Sequence, residues 1–218
     1  MEIKICGITD LAHAYFSIDC GADALGFIFY RKSIRYIAPE RVKQIVQKLP
    51  SGIAKVGVFV NQEVDEVKGI TRFCRLDLIQ LHGDESPGYC NQFPASSLIK
   101  ALSRPADIRK IEDYPVRAFL VDAREQNHYG GTGKNSDWGL ARRMKETHPV
   151  ILAGGLNREN IEEAINFVRP CAVDINSGVE ISPGKKDPGK IKEIIRLVCE
   201  MRTEEADSHG NIFRRIKR

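Results

Sequence analysis

The feature that most constrains the fold of this 218-residue chain is a regular alternation of short apolar segments with helical patterns. The apolar segments are short and nearly continuous, which is typical of strands buried on both faces of a parallel sheet. Eight of them can be counted, at about 3–5, 24–29, 55–60, 76–81, 97–102, 118–121, 150–153 and 172–175. Eight strand–helix units close a parallel sheet, so the pattern predicts an α/β fold, a single (β/α)8 TIM barrel. A doubly wound open sheet is the alternative.

The first helical pattern illustrates how the units are recognised. Leu11, Ala14 and Ile18 recur at the spacing of one helical face, and Thr9 is predicted to be the N-cap of this helix. Comparable spacings follow most of the other apolar segments, with no break in composition between them. We therefore expect residues 1–202 to form one barrel domain.

The last residues, 203–218, have no place in the alternation. They carry four Lys or Arg and three Asp or Glu residues, which predicts a charged, flexible C-terminal tail. Ile212, Phe213 and Ile216 lie among these charges, so a partner-binding helix is the alternative.

Composition narrows the class of protein. With 42% hydrophobic and 28% charged residues the chain has the make-up of an ordinary globular protein. We see no apolar run long enough to span a membrane and no secretory signal, and so expect a cytoplasmic protein without membrane partners. Six cysteines without a Cys-x-x-Cys pair predict free thiols and no metal site. A net charge of +4 is too small to indicate nucleic-acid binding. Apolar helix faces serve either core or interface, so monomer and homodimer both stay open.

Polar side chains at strand ends are the candidates for chemistry, because barrel active sites are built at the carboxyl ends of the strands. We expect these residues to converge on one mouth. Cys6 follows the first strand and is either a reactive thiol or a buried filler. Lys4 shares its face and would favour the thiolate unless it pairs with a buried carboxylate such as Asp174. The candidates are Cys6, Arg35, Asn61, His82, Asp122, Asp174 and Asn176.

Two glycine turns, at 153–157 and 176–180, follow the seventh and eighth strands. Glycines let backbone N–H groups approach an anion closely, and these two loops of a barrel are the usual phosphate site. One such turn alone is more often ordinary turn chemistry, with Asn157 as a helix N-cap. Their occurrence at both positions predicts a sugar-phosphate substrate.

Several motifs are spread over the chain, from residue 2 to about residue 198. They are KICGIT at 4–9, GFIF at 26–29, KSIRY at 32–36, VGVFVN at 56–61, QLHGD at 80–84, GGTG at 130–133, AGGL at 153–156 and 174–180. In this order they resemble the motifs of the phosphoribosylanthranilate isomerase family. The resemblance implies a cofactor-free Amadori rearrangement in tryptophan biosynthesis, acting on N-(5-phosphoribosyl)anthranilate.

The same resemblance implies roles for individual residues. Asp122 matches the general acid that protonates the ribose ring oxygen, and Cys6 matches the general base that removes the C2 proton. Arg35 matches the position that recognises the anthranilate carboxylate. Two further positions near the substrate are His82 and Asp174. The phosphate cradle corresponds to the backbone at Gly154, Gly155, Ser177 and Gly178.

A further prediction concerns the long loop after the sixth strand, and two alternative functions remain open. The glycine-rich loop at 127–134 is long enough to close over a substrate, and we predict that it is a lid. The related histidine-pathway sugar isomerase is one alternative, although it is expected to carry aspartate where this chain has Cys6. The other is a barrel that binds a phosphorylated metabolite without turnover, whose signature would be a lost acid or base.

Overall fold

A computed structural model of the chain describes residues 1–102, 111–122, 138–201 and 212–213. Within these residues eight parallel strands form a closed barrel, each pairing with the next along the chain. The barrel closes between β1 and β8, where Lys4 lies beside Asp174. The predicted (β/α)8 barrel is confirmed and the open sheet is excluded. The strands are β1 Glu2–Ile5, β2 Ala24–Ile28, β3 Ala54–Phe59, β4 Leu78–Leu81, β5 Leu98–Leu102, β6 Ala118–Asp122, β7 Val150–Ala153 and β8 Ala172–Ile175.

Helices surround the barrel. The first of them, α1, begins one residue later than predicted, because Asp10 rather than Thr9 is its N-cap and accepts hydrogen bonds from Ala12 N and His13 N. The predicted lid at 127–134 lies outside the described residues. The described α-helices are α1 Leu11–Cys20, α2 Pro39–Val46, α3 Val64–Cys74, α4 Pro87–Cys90, α5 Trp138–Lys145, α6 Ile161–Val168 and α7 Pro188–Glu200.

Alternate residues of each strand face different surroundings. Ile3 and Ile5 point outward into a buried apolar layer shared with the helices. Lys4, between them, points into the barrel and is fully buried. This alternation brings the polar side chains of several strands together inside the barrel, beneath its mouth.

A small hairpin follows β8. It consists of β9 Glu180–Ser182 paired antiparallel with β10 Lys185–Lys186. Both Glu180 and Lys186 are buried. The hairpin therefore adds two charged side chains to the β8 side of the mouth.

The other end of the barrel receives part of the C-terminal segment. Ile212 and Phe213 are buried in an apolar cluster with interior residues such as Ala24, Ala118 and Ala172. Their backbone N–H groups donate to the Glu2 Oε2 atom over 2.6 and 3.0 Å. Flexibility stays a prediction for the rest of the tail, which lies outside the described residues.

Candidate active site

A pocket at the carboxyl ends of the strands brings together nine of the eleven predicted site residues: Cys6, Arg35, His82, Asp122, Asp174, Asn176, Gly154, Gly155 and Ser177. Gly178 does not line it and instead borders a neighbouring depression with Asn157 and Lys190. Asn61 is also absent from the lining. Among the described residues, no group of three or more His, Cys, Asp or Glu side chains is arranged to hold a metal ion.

Cys6 lies at the end of β1 with only 4% of its surface exposed. Its thiol faces Gly26 on the neighbouring β2, where an added Cβ would come within 2.7 Å of Cys6 Sγ and 3.0 Å of Lys4 Cε. Because real Cβ atoms do not approach other atoms so closely, only glycine leaves room here for both side chains. All six cysteines of the chain are described and are free thiols.

Lys4 is held by two partners inside the barrel. Its Nζ donates to Asp174 Oδ2 over 2.7 Å and to Gln80 Oε1 over 2.9 Å. Burial acts to lower the pKa of Lys4, but the Asp174 and Cys6 charges raise it above its ordinary value. The lysine is therefore both paired with Asp174 and electrostatically coupled to Cys6. The other oxygen, Asp174 Oδ1, is buried and has no hydrogen-bond partner within the described part of the chain.

Opposing influences act on the Cys6 thiol. Burial raises the pKa of Cys6, and the Asp174 carboxylate raises it further. Lys4 and Lys186 act in the opposite direction because their positive charges stabilise the thiolate. The sum is a pKa above the usual thiol range, so the ligand-free protein holds this proton more firmly than an exposed cysteine would.

Glu180 connects Arg35 with Lys186. Arg35 donates from Nε and Nη2 to the two oxygens of Glu180 over 2.7 and 2.6 Å. Lys186 Nζ donates to Glu180 Oε1 over 3.2 Å and to Asn176 Oδ1 over 2.9 Å. Burial opposes ionisation of Glu180, yet the Arg35 and Lys186 partners lower its pKa below the ordinary value. Burial lowers the pKa of Lys186, against the influence of Glu180 and Cys6.

His82 lies between Gln80 and Asp122. Its Nδ1 is 2.9 Å from Gln80 Nε2, and its Nε2 is 3.6 Å from Asp122 Oδ2. The distance between His82 Nε2 and Asp122 Oδ2 is longer than a hydrogen bond, although catalytic hydrogen bonds are often long when no substrate is bound. Lys4, Gln80 and His82 therefore form a chain of polar contacts that runs from Asp174 towards Asp122.

A buried brace supports the loop that follows His82. Lys100 Nζ donates to Gly83 O over 2.7 Å and to Glu85 Oε2 over 3.1 Å. Glu85 Oε1 accepts the backbone N–H of Asn61 over 2.9 Å, and the Asn61 side chain accepts the N–H of Asp84 over 2.7 Å. Asn61 thus stabilises this loop rather than facing the pocket.

The two glycine turns meet at close range. Gly154 and Gly155 adopt positive φ values of 89° and 65°, which side chains disfavour. An added Cβ on Gly178 would overlap the carbonyl oxygen of Leu156. Gly178 is therefore needed for the approach of the two turns, although it does not line the pocket itself. Asn157 is not a helix N-cap, since α6 begins after Asn160.

Four residues at or near the site were missed as individual candidates: Gly26, Gln80, Glu180 and Lys186. Gln80 had an available signal, because it lies two residues before His82 in a strand and so on the same face. Glu180 lies at the end of the predicted glycine turn at 176–180 but was given no role of its own. Lys186 had no signal, because the hairpin that carries it was not predicted.

A closed (β/α)8 barrel with glycine turns after its last two strands and acid–base side chains at its mouth defines a class, the enzymes that act on small phosphorylated substrates. Comparison with known proteins identifies the family within that class. The model of the family "N-(5'phosphoribosyl)anthranilate (PRA) isomerase" matches residues 3–196. The chain belongs to this family, as its motifs predicted.

Individual relatives agree with this assignment. The N-(5'-phosphoribosyl)anthranilate isomerase of Syntrophus aciditrophicus is 50% identical over 223 aligned residues, covering 100% of this chain and 97% of the relative. A crystal structure of the Thermotoga maritima isomerase has a TM-score of 0.83 at 42% identity, covering 92% of this chain and 99% of that one. A crystal structure of a phosphoribosylanthranilate isomerase in complex with reduced 1-(o-carboxyphenylamino)-1-deoxyribulose 5-phosphate has a TM-score of 0.80 at 39% identity. It covers 92% of this chain and 99% of that one.

Proposed function

We propose that the chain converts N-(5′-phosphoribosyl)anthranilate into 1-(o-carboxyphenylamino)-1-deoxyribulose 5-phosphate, the Amadori rearrangement of tryptophan biosynthesis. The observation that carries this function is that Cys6 and Asp122 line one pocket in a chain of this family. The reaction requires one group that gives a proton and another that takes one.

Asp122 is the proposed general acid. In its protonated form it gives a proton to the ribose ring oxygen, the C1–O bond breaks, and the nitrogen lone pair forms an iminium with C1. Cys6, as thiolate, then takes the C2 proton, which the iminium has made acidic, and the C–H electron pair forms the enolamine. Tautomerisation of the enolamine gives the ketone. Positioned acid and base groups typically contribute about 100- to 10,000-fold each.

Arg35 is the proposed receptor for the anthranilate carboxylate. Glu180 occupies Nε and one Nη2 donor, while Nη1 has no hydrogen-bond partner among the described residues. The outer edge of the guanidinium, formed by Nη1 and Nη2, therefore suits a second, two-pronged contact with a carboxylate. In this arrangement Glu180 orients Arg35 without displacing the substrate.

The phosphate end of the substrate would be held by the loops after β7 and β8. The backbone of the two glycine turns, at Gly154, Gly155, Ser177 and Gly178, is the proposed phosphate cradle. Asp174 Oδ1 is a buried acceptor without a partner in the described part of the chain, so a ribose hydroxyl is its natural donor. His82 is proposed to contact the substrate near Asp122.

The presence of cysteine at position 6 favours this reaction over the two alternatives. The histidine-pathway sugar isomerase is expected to carry aspartate there, and a binding barrel without turnover would be expected to lose the acid or the base. Both Cys6 and Asp122 are retained and line the pocket.

Turnover of freshly prepared phosphoribosylanthranilate, followed by the loss of anthranilate-type fluorescence, tests the function. We expect turnover of this substrate and none of the histidine-pathway aminoaldose. Turnover of the latter alone would indicate the related isomerase, while binding of phosphoribosylanthranilate without turnover would indicate a metabolite-binding barrel.

The setting of the enzyme is also a proposal. We place it in the cytoplasm, with a small sugar phosphate as partner and without nucleic acid or membrane. None of the helices in the described part combines the length and apolar character of a transmembrane segment. Monomer and homodimer are both compatible with the family, because a Thermotoga maritima relative is described as dimeric. Light scattering at assay concentration distinguishes the two states.

A further inference from the structure

The hydrogen-bond partners of Gln80 determine which ring nitrogen of His82 carries a proton. Gln80 is 99% buried and points into the barrel from β4. Its side-chain amide has one end that accepts hydrogen bonds and one that donates them. Lys4, an ammonium with donors only, lies 2.9 Å from one end. That end must therefore be the carbonyl oxygen Oε1.

The orientation of the amide then decides the protonation of His82. With Oε1 turned to Lys4, the amide group Nε2 faces His82 Nδ1 at 2.9 Å. An N–H donor at this distance requires an acceptor, so Nδ1 carries no proton. The proton of the neutral imidazole is consequently on Nε2, the atom that lies 3.6 Å from Asp122 Oδ2. A second proton on the ring would set two donors against each other.

We propose that Gln80 is a positioning residue that, oriented by Lys4, holds His82 in the neutral Nε2–H form with its N–H directed at Asp122. This inference rests on the proposed role of Asp122 as the general acid. An N–H that faces Oδ2 makes this oxygen an acceptor, so the acidic proton belongs on the other carboxyl oxygen. Once that proton has gone to the substrate, the same N–H stabilises the carboxylate that remains.

The charged groups around the Lys4–Gln80–His82 contacts are consistent with a neutral imidazole. Asp174 pairs with Lys4 at one end over 2.7 Å, and the Asp122 carboxyl group lies near the other end. Lys4 is the cation in contact with Gln80, and Lys100 binds the backbone carbonyls of Leu81 and Gly83 on either side of His82. A neutral imidazole thus separates the Lys4–Asp174 pair from Asp122.

The variant Gln80→Glu replaces the hydrogen-bond donor that faces His82 Nδ1 with an acceptor. A carboxylate at this position accepts from Lys4 at one oxygen and from a proton on His82 Nδ1 at the other, so it should move the ring proton to Nδ1 or charge the ring. Gln92→Glu, at an exposed position, is the matched control. We expect a fall in kcat of about 10- to 100-fold for Gln80→Glu, because a misdirected imidazole no longer supports the acid.

Nitrogen-15 NMR of the ligand-free enzyme near neutral pH reads the tautomer directly and needs no turnover. The chain has five histidines, and loss of one signal set in His82→Asn assigns the signals of His82. We expect an unprotonated Nδ1 in the wild type and in Gln92→Glu, and a protonated Nδ1 in Gln80→Glu.

Two results would overturn the inference: a protonated Nδ1 in the wild type, or an unchanged His82 spectrum in folded Gln80→Glu. If Gln80→Glu does not fold, the wild-type spectrum alone still decides the tautomer. Failure of the proposed acid role is recognised separately, as full activity of Asp122→Asn with the His82 tautomer intact.

Discussion

Arg35 and Glu180 form a two-pronged ion pair, with N···O distances of 2.7 and 2.6 Å, between the loop after β2 and the hairpin after β8. The hydrogen bonds to Glu180 raise the pKa of Arg35, although burial opposes the shift. The pair fixes a guanidinium at the mouth of the barrel with its outer edge still available.

Replacing Arg35 by Lys should weaken substrate binding. A lysine cannot hold Glu180 and a second carboxylate with the same planar geometry, so we expect KM to rise about 10- to 100-fold with a smaller change in kcat. Steady-state kinetics measures both constants, and Arg72→Lys, at an exposed helical position, is the control. A KM equal to that of the wild type would remove Arg35 from carboxylate recognition.

Lys186 should govern the pH dependence of the reaction. Burial raises the pKa of Cys6 and Lys186 opposes that rise, so the thiolate that acts as base forms only as the pH increases. Removing the charge in Lys186→Met should raise the pKa of Cys6 further and move the acid limb of kcat/KM to higher pH, by about 1 unit.

Two further variants separate charge from structure at this position. Lys186→Arg keeps the positive charge and should retain the wild-type profile, as should Lys185→Met at the exposed neighbouring position. An acid limb that stays in place in correctly folded Lys186→Met would show that Lys186 does not act on the base.

Gly26 should tolerate no side chain. An added Cβ would lie 2.7 Å from Cys6 Sγ, so Gly26→Ala must displace the thiol. We expect kcat to fall by about 100-fold, because small misplacements of a reacting group have effects of this size. Gly69→Ala is the control, since an added Cβ there meets nothing within 4 Å. Equal rates for both variants and the wild type would contradict the assigned position of the thiol.

How far the sequence predicts this molecule differs between its parts. The barrel follows from local patterns, because eight buried strands and their helices each leave a hydrophobic signature, and the observed strands differ from the predicted ones by only one or two residues. The N-cap of α1 was misplaced from Asp10 to Thr9, because both residue types cap helices and they are adjacent.

The charged surroundings of the site could not be predicted in the same way. Glu180 binds Arg35, which lies 145 positions earlier in the sequence. Lys186 stabilises the thiolate of Cys6 from the same hairpin. Such contacts depend on the closure of the barrel and on a hairpin without a periodic signal. The need for glycine at position 26 could not be predicted either, because it depends on the position of the Cys6 thiol on the neighbouring strand.

Phe213 should contribute to stability without affecting catalysis. It is 5% exposed at the end of the barrel opposite the pocket, so Phe213→Ala leaves a cavity and should reduce the free energy of unfolding by about 3 kcal/mol. Chemical denaturation measures the loss, and kcat under native conditions should be unchanged. Phe73→Ala is the control, because Phe73 is 42% exposed. Equal stability of Phe213→Ala and the wild type would mean that this part of the tail does not hold the barrel.

The assignment of base and acid is the central claim, and the kcat of Cys6→Ser and Asp122→Asn with phosphoribosylanthranilate tests it most directly. Cys20→Ser and Asp84→Asn make the same chemical changes away from the pocket and serve as controls. We predict that each site variant loses at least about 100-fold in kcat while the controls retain wild-type rates. Wild-type turnover by either Cys6→Ser or Asp122→Asn would contradict the role given to that residue.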